Sequence, residues 1–436
     1  MIKFNSNFVW SYLGQISSTV AGLAILPLIF IYLDKDDTGL WFVFLSLSAF
    51  VLLLEMGFQP TITRNYTYIK NGSNKIKFES LSMTLKKNDR FKFHFVDSVK
   101  LVYKVISILA FVLTSTLGSI YIYFVAHDFS DIFAWVIYSV SHVINFYYGY
   151  KLALINGENR YDITGKIVVI NRSVFLVIST ALMIQGLELM ALSIGACFGA
   201  LISRIYLNLK YDQLFQFRKF KSNPKFQKLI IIRLLYFSKK MSYSQVSAFI
   251  MQKSGTLYIA FYLGLQSAAV WGFINTAIYA IFGFSSMYSR LNLTKLSEYA
   301  IKSNKSQYMQ TVITSFKASS LIYIACVVFS YFLIPHLLSA TGKESMLFDY
   351  NLFISFSIIV LLELIHSTSA TFITIFNKIP FVKASIITAL IVVILSPYTL
   401  NNFGLYGYVF LIGLVNLAYN NWRWPLYLRK EINSIV

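Results

Sequence analysis

The amino-acid sequence predicts an all-α polytopic membrane protein, with about twelve transmembrane helices arranged in two six-helix lobes. Three observations support this prediction. First, 57% of the 436 residues are hydrophobic and only 13% are charged, a balance that excludes a water-soluble fold. Second, apolar runs of about 20 residues, the length that crosses a ~30 Å hydrocarbon core as a helix, recur along the chain. Third, parts of the first half recur in the second half.

The apolar runs define the predicted elements in order. The first six occupy residues 8–33, 40–59, 101–126, 132–155, 167–185 and 189–209. The last six occupy residues 243–263, 268–287, 318–338, 352–375, 384–400 and 405–422, of which the first has the weakest apolar character. We therefore expect residues 1–209 to form an N-terminal six-helix lobe, residues 210–240 a basic cytoplasmic linker, and residues 241–436 a C-terminal six-helix lobe.

The two halves share two sequence echoes. In one, a glycine and a phenylalanine are followed after five residues by an arginine, as Gly57-Phe58 to Arg64 and Gly283-Phe284 to Arg290. The other keeps a constant offset, since Gln15, Ser17, Tyr32, Leu33 and Trp41 recur as Gln245, Ser247, Tyr262, Leu263 and Trp271. Internal duplication in a membrane protein is typical of carriers whose substrate binds between two repeats.

Charge placement predicts the orientation of the chain. With the amino terminus inside, the inner loops and tails hold most of the 38 Lys and Arg residues, and the outer loops hold only Lys35 and Lys343. The outer loops are acidic instead, with Asp34, Asp36, Asp37, Asp128, Asp131, Glu188, Glu344 and Asp349. By the positive-inside rule both termini are cytoplasmic. The net charge of +20 then reflects topology and attraction to an anionic inner leaflet, and no nucleic-acid partner is expected.

Cations near or within the spans are the candidate substrate-binding residues. Arg64 and Arg290 lie at the inner mouths of two repeat-related helices, and a guanidinium group binds phosphate through two parallel hydrogen bonds. Paired arginines therefore suit a diphosphate. The alternative is that both are ordinary interfacial residues that extend toward the headgroups. Arg172 and Lys253 fall inside predicted spans and are further candidates for binding an anion.

Glu55, Glu363 and His366 are the candidate coupling or gating residues, because an ionised side chain at mid-bilayer costs roughly 2.5 to 3.5 kcal/mol on insertion scales. Glu363 and His366 share a helix face, so they either exchange a proton or make separate interhelix hydrogen bonds. Glu55 either pairs with Lys253 across the lobes or caps a polar patch beside Gly57. No catalytic residue, metal site or cofactor is expected, and coupling to a proton or to Na⁺ stays open.

Several short motifs resemble those of Wzx-type O-antigen flippases. They are Trp10-Ser11-Tyr12-Leu13-Gly14-Gln15, Tyr32-Leu33, Gly39-Leu40-Trp41, Glu55-Met56-Gly57-Phe58 leading to Arg64, and the turns Asn156 to Arg160 and Asn377 to Pro380. The resemblance covers the whole chain and implies the multidrug/oligosaccharidyl-lipid/polysaccharide (MOP) exporter superfamily, in which two six-helix bundles form a V around a central cavity. The related peptidoglycan-precursor flippases have arginines near the inner ends of their second and eighth helices, which match Arg64 and Arg290.

The resemblance implies a flippase of lipopolysaccharide or capsule biosynthesis in the bacterial cytoplasmic (inner) membrane. Such proteins move undecaprenyl-diphosphate-linked oligosaccharides from the inner to the outer leaflet by alternating access. An O-antigen polymerase and a chain-length regulator are candidate partners besides the lipid-linked glycan and the bilayer.

Two other functions compete with this one. A multidrug or cation antiporter of the same superfamily would need an acidic or aromatic pocket rather than a cationic one. A membrane O-antigen polymerase or glycosyltransferase would need a sizeable outer loop, and the predicted outer loops are short. The sequence Asp34-Lys35-Asp36 fits the metal motif of glycosyltransferases only superficially.

Overall fold

The computed structural model describes residues 6–55, 57–70, 76–78, 81–83, 89–215, 220, 224–339, 348–376 and 378–434. Met56, Lys343, Glu344 and Asn377, together with residues 216–219 and 221–223 of the predicted linker, lie outside the described residues.

Nine α-helices occupy the described part of the first half. They are α1 Ser6–Tyr32, α2 Lys35–Leu54, α3 Phe58–Lys70, α4 Asp89–Leu113, α5 Ser119–Ala126, α6 Phe129–Tyr147, α7 Gly149–Gly157, α8 Tyr161–Ile184 and α9 Glu188–Leu214. A π-helical turn, Thr114–Gly118, joins α4 to α5. Between α3 and α4, strands β1 Ile76–Phe78 and β2 Leu81–Met83 form a short antiparallel hairpin in which Ile76 lies opposite Met83.

The described second half is also helical. Its helices are α10 Pro224–Gln252, α11 Ser254–Leu263, α12 Leu265–Leu291, α13 Leu293–Ile301, α14 Lys305–Ser339, α15 Tyr350–Ile373, α16 Val382–Val415 and α17 Asn421–Asn433. A 3₁₀ turn, Thr374–Phe376, follows α15, and a π-helical turn, Asn416–Asn420, joins α16 to α17.

The predicted all-α polytopic class is confirmed. Within the described ranges, eight helical stretches are long and apolar enough to cross a membrane: Val9–Tyr32, Phe91–Ala126, Tyr161–Ile184, Glu188–Leu214, Leu265–Ile301, Lys305–Ser339, Tyr350–Phe376 and Val382–Asn433. The last covers two predicted runs, 384–400 and 405–422. Runs 40–59, 132–155 and 243–263 also fall mainly on helices, although these eight stretches do not include them. The count of about twelve crossings therefore stays a prediction.

Three glycines with positive φ interrupt the helices. Two of these breaks, at Gly264 and Gly404, lie between predicted apolar runs, whereas the break at Gly57 lies inside the predicted run 40–59. Gly57, at φ 68°, separates α2 from α3, and Gly264, at φ 83°, separates α11 from α12. Gly404, at φ 59° and ψ −148°, divides α16 between the two predicted runs. This backbone region strains any residue that carries a Cβ. By contrast, α12 continues unbroken through Gly283 to Arg290, so the two copies of the repeated motif differ in backbone.

The chain forms two compact units. Unit 1 comprises Met1–Leu33 and Leu47–Gln245, and unit 2 comprises Asp34–Ser46 and Val246–Val436. The start of α2 thus groups with the second half of the chain. In unit 2 the carbonyl of Leu265 lies so close to Gly39 that a Cβ there would overlap it, so only glycine lets these helix ends meet.

The described part of the predicted linker, residues 210–240, belongs to unit 1 because the beginning of α10 packs into its core. Ile230 and Leu234 are buried in the same apolar cluster as residues of α3, α4 and α9. Gln227 also donates from Nε2 to Asp97 Oδ2 of α4 at 2.7 Å.

Unit 2 has an apolar cluster of its own where α13, α14, α15 and α17 meet. Its buried members include Leu296, Tyr308, Phe372 and Trp424, one from each of these helices. Beside it, Lys378 pairs with Glu431 of α17 at 2.8 Å, and this hydrogen bond raises the pKa of the Lys378 ammonium group.

Candidate functional site

Arg64 lies on α3 beside an open hollow of about 420 Å³ in unit 1. The hollow is lined by Gln59, Pro60, Thr63, Arg64, Asn156 and Tyr161. These residues come from α3, from the end of α7 and from the start of α8. The guanidinium is exposed, and it has no hydrogen-bonded or ionic partner among the described residues.

The packing of α3 explains why Arg64 points away from the core. Phe58, Ile62, Tyr66 and Ile69 recur at helical spacing and are buried, which leaves Arg64 on the opposite face. Side chains of α3 also bond α7 and the turn that follows it. Tyr66 donates to Glu158 Oε1 at 2.9 Å and Thr63 donates to the Ala153 carbonyl at 3.0 Å.

A polar turn between α7 and α8 lies on the other side of the hollow, between the lining residues Asn156 and Tyr161. Glu158 forms an ion pair with Lys70 at 2.6 Å. Burial and the Glu158 carboxylate raise the pKa of the Tyr66 phenol, so the phenol stays protonated and donates. The sequence resemblance had singled out this turn, Asn156 to Arg160, without indicating that it faces Arg64.

Arg290 lies in the last turn of α12, and its side chain is exposed. The residues around it fasten the end of α12 to α14. Ser289 and Ser319 share a hydrogen bond at 2.7 Å, and Asn292 donates to Ser315 at 3.1 Å. In the described part of the chain the Arg290 guanidinium has no carboxylate partner, as is the case for Arg64.

The other two candidate cations occupy separate positions. Arg172 is exposed on α8, and its charge acts on Tyr138 and His142 of α6. Lys253 lies between α10 and α11 with a non-helical backbone, φ −120° and ψ −32°, and its side chain is exposed. Neither makes an ion pair with a carboxylate among the described residues.

The candidate carboxylates are engaged by neutral donors. Glu55, just after α2, accepts from the Tyr103 hydroxyl at 3.2 Å. Glu363 on α15 accepts from the Tyr279 hydroxyl at 2.9 Å and also from Gln252. These contacts join α2 to α4 in unit 1 and α15 to α10 and α12 in unit 2.

The structure places His366 away from a direct bond with Glu363. Its Nδ1 lies 2.7 Å from Asn421 Oδ1, at the start of α17. Of the two alternatives for this pair, the geometry corresponds to separate interhelix hydrogen bonds. Glu55 and Lys253 belong to different compact units, and their pairing stays a prediction.

Sequence reasoning missed two cations inside the predicted spans. Arg204 of α9 is only 8% exposed, and its Nε and Nη2 donate to Asn145 Oδ1 at 3.0 and 2.6 Å, while its Nη1 is buried without a hydrogen bond. Lys151 donates to Asn208 at 2.7 Å and lies 4.4 Å from the centre of the Tyr211 ring. Both residues lie inside predicted runs, 132–155 and 189–209, so a charge count restricted to those runs would have found them.

No protein-family model and no curated protein matches the sequence. Solved structures nevertheless show the fold, because over nearly its whole length the chain is similar to transporters and flippases that have the MOP superfamily fold. The superfamily fold implied by the sequence resemblance is therefore confirmed. Its Wzx branch stays a prediction.

Three similar structures illustrate the range of this fold. An inward-facing multidrug resistance transporter of the MATE family has a TM-score of 0.69 at 11% identity and covers 98% of this chain and 95% of its own. The lipid II flippase MurJ in an inward closed conformation has a TM-score of 0.70 at 15% identity and covers 98% and 88%. A MOP superfamily transporter from Pyrococcus furiosus, described as having a binding pocket of reversed polarity, has a TM-score of 0.62 at 12% identity and covers 98% and 94%.

Proposed function

We propose that this chain is a flippase that moves an undecaprenyl-diphosphate-linked oligosaccharide from the inner to the outer leaflet of the bacterial cytoplasmic membrane. The cargo is an O-antigen or capsule repeat unit, and transport follows alternating access. One observation carries the proposal: among the candidate residues, the charges that lack an internal partner of opposite charge are positive. Arg64, Arg290, Arg172 and Lys253 have no carboxylate partner among the described residues, whereas Glu55 and Glu363 are bound by tyrosine hydroxyls.

An anionic cargo follows from the physical chemistry of these groups. A diphosphate loses strong hydration when it enters a membrane, and the cost is large unless other donors replace the water. Guanidinium groups replace it well, because each offers two parallel N–H donors to one phosphate. Arg64 and Arg290 occupy corresponding positions of the repeat, so each supplies one such group from its own half of the chain.

The similar structures are compatible with this assignment. One of them is a lipid II flippase. The description of the Pyrococcus furiosus transporter links the polarity of its pocket to a different function within the same superfamily. Pocket polarity is thus a reasonable criterion for this chain, and its unpaired charges favour an anion.

Coupling and partners complete the proposal. Glu55, Glu363 and His366 are the residues that would take a coupling proton or Na⁺, since each is an ionisable group within or beside a predicted span. Both termini would be cytoplasmic, and an O-antigen polymerase with its chain-length regulator would receive the cargo on the outer side.

Complementation tests the proposed function. The wild-type chain, Arg64→Ala and Arg290→Ala are expressed in a bacterial host that lacks its own flippase but carries the matching glycan pathway. Arg429→Ala is the matched control, because Arg429 is another exposed arginine, on α17. We expect surface polysaccharide with wild type and control, and a loss of about tenfold or more in both variants.

Rescue by all four proteins at equal expression would support the flippase function and contradict the proposal that Arg64 and Arg290 bind the diphosphate. Absence of rescue by well-inserted wild type on the matching glycan would contradict the flippase itself.

A cation or multidrug antiporter is the second candidate, and the half-buried carboxylates are the observation that favours it. Glu363 lies between Tyr279 and Gln252, an arrangement that also suits a proton-coupled cation site. Drug efflux by the wild type, abolished by Glu363→Gln and unaffected by Arg64→Ala, would support this second function.

A further inference from the structure

The hollow beside Arg64 contains more than a phosphate-binding group. Arg64 is the one charged residue among those that line it. The others supply the two amides of Gln59 and Asn156, the ring of Tyr161 and the apolar surface of Pro60. Its volume of about 420 Å³ lies in the range of small-molecule sites, and it exceeds what a phosphate group needs.

The amide of Asn156 has a fixed orientation. Its Oδ1 accepts from the Thr164 hydroxyl at 2.7 Å, which leaves the NH₂ group as the part available to a ligand. Such a donor suits the oxygen of a hydroxyl or an acetamido group.

Tyr161 offers an aromatic surface at the other side of the hollow. It is the first residue of α8 and is 40% exposed. The preceding turn is held in place because Asn7 donates to the Asn159 carbonyl at 2.8 Å and accepts from the Asp162 backbone N–H at 3.2 Å. The backbone that carries the ring is therefore held in place at the hollow, which Tyr161 and Arg64 both line.

Arg160, which precedes Tyr161 in the sequence, already pairs with a carboxylate. Arg160 donates from Nε and Nη2 to the two oxygens of Asp162 at 2.9 and 3.0 Å. Because Arg160 is paired, Arg64 is the group that can bind a phosphate. The uncharged lining residues Gln59, Pro60, Asn156 and Tyr161 suit a ligand group that carries no charge.

We infer that this hollow binds the sugar next to the diphosphate, with Arg64 on the phosphate, Tyr161 against the face of the sugar ring, and Asn156 and Gln59 on its polar substituents. The C–H face of a pyranose packs against an aromatic ring, and its hydroxyl or acetamido oxygens accept from amide N–H groups. This inference rests on the proposed function and makes the hollow a specificity site for the first sugar.

Binding to the purified full-length chain tests it. The probes are undecaprenyl diphosphate, the same lipid carrying one N-acetylhexosamine, and an anionic phospholipid, each titrated into protein in detergent. The wild type should bind the sugar-bearing lipid about 3- to 10-fold more tightly than undecaprenyl diphosphate. Arg64→Ala should weaken both diphosphates, while Tyr161→Ala and Asn156→Ala should remove only the preference for the sugar.

Two further variants control for structural damage. Tyr161→Phe keeps the aromatic face and should keep the preference. Tyr68→Ala removes another exposed tyrosine, 44% exposed on α3 but outside the hollow, and should bind as the wild type does.

The outcomes separate the two proposals. Equal binding of both diphosphates by the wild type, or an equal loss of both in Tyr161→Ala, would overturn the sugar site and leave the flippase. Tight binding of the phospholipid at the same hollow would assign Arg64 to a headgroup and overturn the sugar site as well. A wild type that binds neither diphosphate would overturn the proposed function together with this inference.

Discussion

At the scale of single residues, the candidate cations and carboxylates differ in their surroundings: the two arginines are exposed, whereas the two glutamates accept hydrogen bonds. Arg64 and Arg290 project from helix faces whose neighbouring residues make the packing contacts. Glu55 and Glu363 accept from phenol groups, and such bonds lower the cost of keeping a carboxyl in an apolar setting. The exposed cations can therefore bind an external anion without first breaking an internal ion pair.

Arg204 differs from the exposed candidate cations, because its hydrogen bonds within the described residues go to a neutral side chain. Its guanidinium is buried and is held by the single oxygen of Asn145. We expect Asn145→Ala to reduce the free energy of unfolding by about 2 to 4 kcal/mol, because a buried charge then loses its acceptor. Thermal unfolding in detergent measures the change.

Asn402→Ala is the control for this variant. Asn402 is exposed, and within the described residues its side chain bonds the Tyr398 carbonyl in the preceding turn and no other group. The Arg204 argument fails if the two variants melt at the same temperature.

The sequence predicted the positions of some ionisable residues but not their hydrogen-bond partners. Glu363 and His366 were expected to share a face from their spacing, but their partners, Tyr279 and Asn421, are far away in the sequence. Arg204 was overlooked because it lies toward the inner end of its run, where a basic residue is easily counted with the loop. The hollow beside Arg64 forms where α3 packs near α7, and the periodicity of apolar residues does not predict which helices pack together.

At the scale of elements, close approach of backbones fixes how helices pack. In unit 1, α1 crosses α8 at two glycines, where a Cβ on Gly14 would lie 2.9 Å from the Gly165 Cα, and a Cβ on Gly165 would overlap the Trp10 carbonyl. Small residues that let helix backbones approach are typical of helix contacts in membranes. The contact positions the start of α8, and therefore Tyr161, beside the hollow.

Gly165→Ala should destabilise the protein by about 1 to 3 kcal/mol, because the added methyl group meets backbone atoms that cannot move aside. Gly22→Ala in α1 is the matched control, since no atom lies within 4 Å of a Cβ built there. Alanine also has the higher helix propensity, so Gly22→Ala should be neutral or stabilising. Melting temperatures in detergent compare the two, and a Gly165→Ala variant as stable as Gly22→Ala would contradict the close crossing.

Most helices were predictable from apolar length, but the break at Gly57 was not. The repeated motif predicted equal helices in both halves, yet Gly57 takes a left-handed conformation and starts the separate helix α3, while α12 runs on to Arg290. Glycine permits both conformations, so its presence did not distinguish them. The short helices α3 and α13 were not predicted because they are amphipathic rather than continuously apolar.

At the scale of the whole molecule, charge asymmetry relates the fold to the membrane. The chain carries a net charge of +20, and its excess Lys and Arg residues fall mainly in the loops that were predicted to face inward. By the positive-inside rule, this distribution predicts that the Arg64 hollow lies on the cytoplasmic side. For a flippase that loads at the inner leaflet, the hollow must face the cytoplasm, so the orientation is a requirement of the proposed function.

Cysteine labelling measures this orientation. In a chain with Cys197→Ser and Cys326→Ser, single cysteines are introduced as Phe129→Cys, at the start of α6, and Ile301→Cys, at the end of α13. Phe129 is 78% exposed between Asp128 and Asp131, and Ile301 is 85% exposed next to Lys302. Because acidic loops are expected outside and basic loops inside, a membrane-impermeant thiol reagent should label Phe129→Cys in intact spheroplasts and leave Ile301→Cys unlabelled. Inverted vesicles should give the opposite pattern, and the variant without added cysteines sets the background. The reverse result in both preparations would place the Arg64 hollow on the outer side, where a lipid-linked sugar made in the cytoplasm cannot reach it before transport.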